Sequence, residues 1–118
     1  YPTWDPDGSR VAFCSDTGGD WDIWMMQNDG SGLTQLAMPK DQLSPCFSGN
    51  GKWIAYVSDQ GGNYDLWIMK ADGSSPTQIT SDSSEEGMPS WGADGNIYIC
   101  SKKSGNCDLW RLTPVLPE

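Results

Sequence analysis

Short apolar runs, each closed by turn residues, organise this chain from end to end. "RVAFCS", "DIWMM", "WIAYVS", "DLWIM", "IYICS" and "DLWRL" are rich in β-branched, aromatic and aliphatic residues, and none reaches helical length. Asp-Gly, Gly-Gly and Asn-Gly pairs fall between them at the spacing of about 8 to 12 residues that marks short antiparallel strands. The pattern predicts an all-β fold. The runs at Arg10 and Trp53 are too apolar for a sheet wetted on one side, so they suit strands covered on both faces by neighbouring sheets.

The pattern repeats. "SDTGGDWDIWMMQNDGSGLTQLA" from Ser15 aligns with "SDQGGNYDLWIMKADGSSPTQIT" from Ser58 and, more weakly, with "SKKSGNCDLWRL" from Ser101. Trp24, Trp67 and Trp110 recur at intervals of 43 residues, as do Asp22, Asp65 and Asp108. Upstream, "YPTWDPDGSRVAF", "SPCFSGNGKWIAY" and "MPSWGADGNIYI" align Pro2, Pro45 and Pro89. A period of about 40 to 45 residues is that of a four-stranded propeller blade. Each unit then reads as strand a around Trp4, Phe47 or Trp91, a tight turn, strand b, an acidic loop, strand c, an Asp-Gly turn, and strand d ("LTQLA" or "PTQIT"). Blade 1 is expected at about 1–43, blade 2 at about 44–87 and blade 3 at about 88–118, the last without a full outer strand.

The motif "PxW(S/D)PDGxxIAFxSDxGGxxDIW" followed by "ADGSxxTQLT" resembles the WD-type propeller repeats of the TolB family, periplasmic components of an envelope system, and of related bacterial propellers. The resemblance covers the first two units almost completely and the third in part. It implies a six-bladed ring and a periplasmic or extracytoplasmic setting. About three blades form only half such a ring, and its two ends would present apolar blade faces to water, so a homodimer that closes six blades is expected. The alternatives are an open monomer and a propeller segment, gating or accessory, of a larger hydrolase or peptidase. Tyr1 follows no targeting segment and reads as a processed terminus or as the edge of a longer chain.

Composition narrows the partners. Sixteen acidic against seven basic residues give a formal charge of −9, which repels nucleic-acid backbones and anionic lipid. The longest apolar run, Trp53 to Val57, is far below the roughly 20 residues of a membrane helix. Seven Trp, four Tyr and two Phe bring large buried areas to a small domain. Blade packing is therefore expected to rest on Trp4, Phe13, Trp24, Phe47, Tyr56, Trp67, Trp91, Tyr98 and Trp110.

Candidate chemistry is sparse. The chain has no His, which excludes a Ser-His-Asp triad within it, and no GxSxG motif, so a noncatalytic protein is expected. Asp16, Asp20 and Asp22, echoed by Asp59, Asn63 and Asp65, sit at positions 1, 5 and 7 of a short loop, as calcium ligands sometimes do. No Glu closes a calcium loop, and Lys102 replaces the first acid in the third unit. The better reading is structural, with Asp22, Asp65 and Asp108 fixing the start of strand c, and no cofactor is expected. Of four cysteines, Cys100 and Cys107 flank the turn "SKKSGN" at a spacing that allows one disulfide across a hairpin, the alternative being two reduced thiols. In a propeller the b–c and d–a connections share one face. That face would gather Asp16, Asp20, Asp41, Asp59, Asp82, Glu85 and Glu86 with Trp21 and Tyr64, opposed by Lys40, Lys102 and Lys103. Such a rim suits a basic peptide or protein, or a sugar stacked on Trp21, although the same charges would serve to keep a Trp-rich surface soluble.

Overall fold

A computed structural model describes residues 2–17, 19–36, 40–60, 62–80, 86–101 and 108–114. These form strands and turns only, arranged in three antiparallel sheets. The first sheet takes β1 (Thr3–Trp4), β2 (Arg10–Ser15), β3 (Asp22–Gln27) and β4 (Thr34–Leu36) in chain order. The second repeats the arrangement with β5 (Gln42–Phe47), β6 (Trp53–Ser58), β7 (Asp65–Lys70) and β8 (Thr77–Gln78). The third holds β9 (Glu86–Trp91), β10 (Ile97–Ser101) and β11 (Asp108–Leu112). Each sheet is an up-and-down blade, as tight a–b and c–d turns demand.

Register turns the repeat into two faces per blade. Phe13 pairs with Trp24, Tyr56 with Trp67 and Ile99 with Trp110, while Ala12 pairs with Met25 and Ala55 with Ile68. Because side chains alternate along a strand, these sets point to opposite sides. In the cleft between blades 1 and 2, the trailing face of blade 1 (Ala12, Ile23, Met25, Leu36) packs on the leading face of blade 2 (Phe47, Ile54, Tyr56, Met69). Between blades 2 and 3, the trailing side chains Trp53, Ala55, Leu66 and Ile68 meet the leading side chains Ile97 and Ile99, with Trp91 and Leu112 at the edge. All six residues of β6 are buried, as its unbroken apolar run requires for a strand between two blades.

The aromatic core expected from composition is corrected by this layering. Phe47 and Tyr56 are buried and Trp67 and Trp91 pack against the two interblade clusters, but Trp4 is 58% and Trp110 40% exposed, and Phe13, Trp24 and Tyr98 are half-buried. Trp4, Phe13 and Trp24 lie on the leading face of blade 1, where no described blade covers them, and Tyr98 lies on the trailing face of blade 3. The clefts are filled mainly by Ile, Leu, Met and Ala.

The outer strands are shorter than the runs "LTQLA" and "PTQIT" predict. In blade 2 the chain leaves the ladder after Gln78: the backbone N–H groups of Ile79 and Thr80 both donate to Leu66 O, and the Thr80 hydroxyl accepts from Leu66 N at 2.9 Å. The innermost strand runs longer, from Gln42, through a bulge between Leu43 and Cys46 where Ser44 takes a left-handed φ of 56°. Cys100 is disulfide-bonded, whereas Cys14 and Cys46 carry free thiols. The partner expected for Cys100, Cys107, lies outside the described residues.

Blades are also stitched by polar contacts. Arg10 of blade 1 bonds Asp5 (Nε to Oδ2, 2.7 Å), donates from Nη2 to Gly51 O at 3.1 Å, and stacks over the Phe47 ring with its Cζ 5.5 Å from the centroid. Gly51 has φ +72° and lies so close to Asp5 that a Cβ there would stand 2.5 Å from Asp5 Oδ1, so glycine is required by both backbone and space. Between blades 2 and 3, Trp91 N donates to Cys46 Sγ at 3.3 Å.

Candidate functional site

The b–c loops of blades 1 and 2 are built alike. In each, a serine at the end of strand b accepts from a backbone N–H two residues on, Thr17 N to Ser15 Oγ and Gln60 N to Ser58 Oγ, both at 3.2 Å. In each, a glycine with φ near +110° then closes the turn, Gly19 onto Asp16 O and Gly62 onto Asp59 O. Glycine suits that conformation, and this accounts for the second glycine of the Gly-Gly pair in both loops.

The d–a connection joins the two loops through Asp41. Its Oδ1 accepts from Trp21 N at 3.0 Å and its Oδ2 from the Tyr64 hydroxyl at 3.1 Å, while its own N–H donates to Asp59 Oδ1 at 3.0 Å. Gln42 N closes the set on Trp21 O at 2.7 Å. Four of the rim residues expected from the sequence, Trp21, Asp41, Asp59 and Tyr64, thus form one hydrogen-bonded unit spanning two blades. Charged acceptors engaged in this way rigidify a loop edge. Trp21 stays 42% exposed on top of the unit, and Asp16 and Asp20 stand exposed beside it in the same loop.

The acidic triplet of that loop is split. Asp22 is buried and its Oδ2 accepts from Gln35 Nε2 on β4 at 2.6 Å; Asp65 repeats this with Gln78 on β8 at 3.0 Å. These bonds tie the start of strand c to strand d. Asp22 is therefore turned into its sheet while Asp16 and Asp20 face solvent, and among the described residues no three His, Cys, Asp or Glu side chains are grouped to hold a metal. Of the remaining rim candidates, Glu86 opens β9 and pairs through its backbone with Ser101. Asp82, Glu85, Lys102 and Lys103 lie outside the described residues.

At the opposite end, the a–b and c–d turns carry a repeated device. Asp7, Asp29 and Asp72 each accept from both the hydroxyl and the N–H of the serine two residues on, at 2.6 and 2.9 Å. The serine hydroxyl, and then its N–H, hold each carboxyl below the usual aspartate range. Asp94 is lowered too, first by the Tyr98 hydroxyl, which donates to its Oδ2 at 2.7 Å. On this side sequence reasoning passed over a cavity of about 520 Å³ between blades 1 and 2, lined by Arg10, Lys52 and Lys70. The available signal was that lysine stands at 52 and 70 where the first unit has Ser9 and Gln27.

No family model and no curated protein matches the chain. Solved structures do. A protein of Agrobacterium tumefaciens described as a TolB superposes with a TM-score of 0.82 and 27% identity, over 92% of this chain and 40% of its own. TolB from Acinetobacter baumannii superposes at 0.81 with 20% identity, over 93% of this chain and 28% of its own. A puromycin-hydrolyzing peptidase of Mycobacterium tuberculosis gives 0.74 and 17%, over 99% of this chain and 22% of its own. This chain has a TolB-like β-propeller fold and spans less than half the length of each of these proteins.

Proposed function

We propose that the chain is a noncatalytic propeller scaffold that closes a six-bladed ring with a second copy of itself and presents its acidic, aromatic rim to a partner. One observation carries the reading. Leading-face positions buried in blade 2, Phe47 and Met69, correspond to Trp4 and Met26 in blade 1, which are exposed and half-buried. A face built for a blade meets none within the described chain, and uncovered apolar surface of this kind drives association. Two copies of three blades give the six that the TolB resemblance implies, in the commonest closed symmetry. On the rim, Trp21 with Asp16, Asp20, Asp41 and Asp59 suits a basic peptide or protein, or a sugar stacked on the indole. A disulfide at Cys100 fits the oxidising, extracytoplasmic setting that the resemblance implies.

Light scattering on a size-exclusion column, over a dilution series with and without calcium, tests the ring. A mass near twice 12.9 kDa is expected, and a single-chain mass at every concentration overturns it.

A second reading is favoured by the likeness to longer proteins, one of them a peptidase: further blades of the same polypeptide cover the face, and the chain is the propeller part of a larger hydrolase or peptidase. Its expected outcome is a native polypeptide far heavier than 12.9 kDa, carrying a catalytic domain, in a mass measurement on protein from its own cells.

A further inference from the structure

Arg10, Lys52 and Lys70 are three of the seven basic residues of a chain whose net charge is −9, and they line one cavity. Two blades supply them. Lys52 ends the a–b turn of blade 2 and Lys70 ends β7, and the two strands are joined there by the Trp53–Lys70 pairing and by Ala71 N donating to Lys52 O at 2.9 Å. Arg10 comes across from blade 1, pinned by Asp5 and Gly51 O through Nε and Nη2. Its Nη1 has no hydrogen-bond partner among the described residues, which leaves two N–H donors of the guanidinium unspent. Trp53 forms part of the wall.

The repeat does not require the two lysines. Arg10, Lys52 and Lys70 correspond to Asn96, Gly95 and Thr113 in blade 3, and the lysines to Ser9 and Gln27 in blade 1. The cleft at the same end between blades 2 and 3, about 360 Å³, has no Lys or Arg in its described lining. Asp72 is the one acid among the described lining residues of the cationic cavity, and its Oδ1 already accepts two bonds from Ser74. Lys52 and Lys70 donate no side-chain hydrogen bond among the described residues, and although Lys70 lies close enough to Asp72 to lower its pKa, two lysines beside a guanidinium with donors to spare make a site for negative charge, and about 520 Å³ lies in the range of small-molecule sites.

We infer that the cleft between blades 1 and 2 binds a small dianion, a phosphate or dicarboxylate group held by Lys52, Lys70 and Arg10. The site lies at the end of the blades opposite the acidic rim.

Titration of ¹⁵N-labelled protein with inorganic phosphate and with succinate, at fixed ionic strength, is the test. Saturable shifts of the Lys52 and Lys70 amides are expected with one or both probes. The phosphate and succinate arms tell the two sources of charge apart. Replacing both lysines (Lys52→Gln with Lys70→Gln) should weaken binding about tenfold or more, the loss expected for two partly exposed charge contacts. Lys52→Arg, which keeps the charge at an exposed position, should leave it within about twofold. Lys40→Gln, which removes the same charge at the rim end, should change nothing. The inference is overturned if neither probe gives a saturable shift, if the double variant binds as the parent does, or if Lys40→Gln weakens binding equally.

Discussion

Met69 and Met26 occupy the same position in successive repeats and differ in what covers them, which makes the pair a direct probe of the blade faces. Met69 is fully buried in the cleft between blades 1 and 2, whereas Met26 is half-buried on the leading face of blade 1. Truncating Met69 to Ala removes three heavy atoms, about 2.4 kcal/mol at roughly 0.8 kcal/mol each, and the cavity left behind brings the loss to about 3 to 4 kcal/mol. At Met26 about two-thirds of the transfer energy is at stake and water fills the gap, so the loss is about 1.5 kcal/mol. The difference of about 2 kcal/mol corresponds to roughly 8 °C in Tm for a domain of this size. Urea unfolding followed by Trp fluorescence, run at a low and a high protein concentration, reads both losses. If the ring forms by self-association, the Met26→Ala loss grows with concentration as the face becomes covered. Equal losses at the two sites, with no dependence on concentration, would refute the reasoning.

Two further outcomes follow from local geometry. Gly51→Ala should lower stability by about 2 to 4 kcal/mol in the same unfolding assay, because it combines a left-handed backbone with a Cβ 2.5 Å from Asp5 Oδ1 and so disturbs the Asp5–Arg10 pair of blade 1 that aims Arg10 Nη2 at Gly51 O in blade 2. Ser31→Ala should raise the Asp29 pKa toward the ordinary aspartate value, as read by carbon-detected NMR titration, since the hydroxyl is the largest cause of its depression. The folded pKa of Asp29 lies below its unfolded value, so its contribution is present above the unfolded pKa near 4 and is lost as pH falls through the folded pKa; the variant should lose less stability than the parent below about pH 4. An unchanged Asp29 pKa would show that the Ser31 hydroxyl does not hold the carboxylate in solution.

Much of the fold was legible because it is local. Strand b at Arg10–Ser15 and Trp53–Ser58, and the start of strand c at Asp22 and Asp65, fall where apolar runs meet turn residues. Strand d was overestimated because Ile79 and Thr80 read as β-formers, whereas both donate to the one carbonyl of Leu66 and leave the ladder. The rim was half legible: loop position brought Trp21, Asp41, Asp59 and Tyr64 to one face, but no pattern showed that Asp41 spends its carboxylate on Trp21 N and the Tyr64 hydroxyl.

By itself the sequence determined the strands, the turns and the period, since each depends on residues within a few positions of one another. Only the tertiary structure decided which aromatic side chains are covered. Alternation along a strand assigns Trp24 and Trp67 to the same face of their blades, but whether another blade lies against that face is a matter of stacking order. In the same way Arg10 and Lys70, 60 residues apart, share a cavity because blade 1 packs on blade 2. Charges that meet across a cleft leave no periodic trace, and the chain had to be folded before they could be seen together.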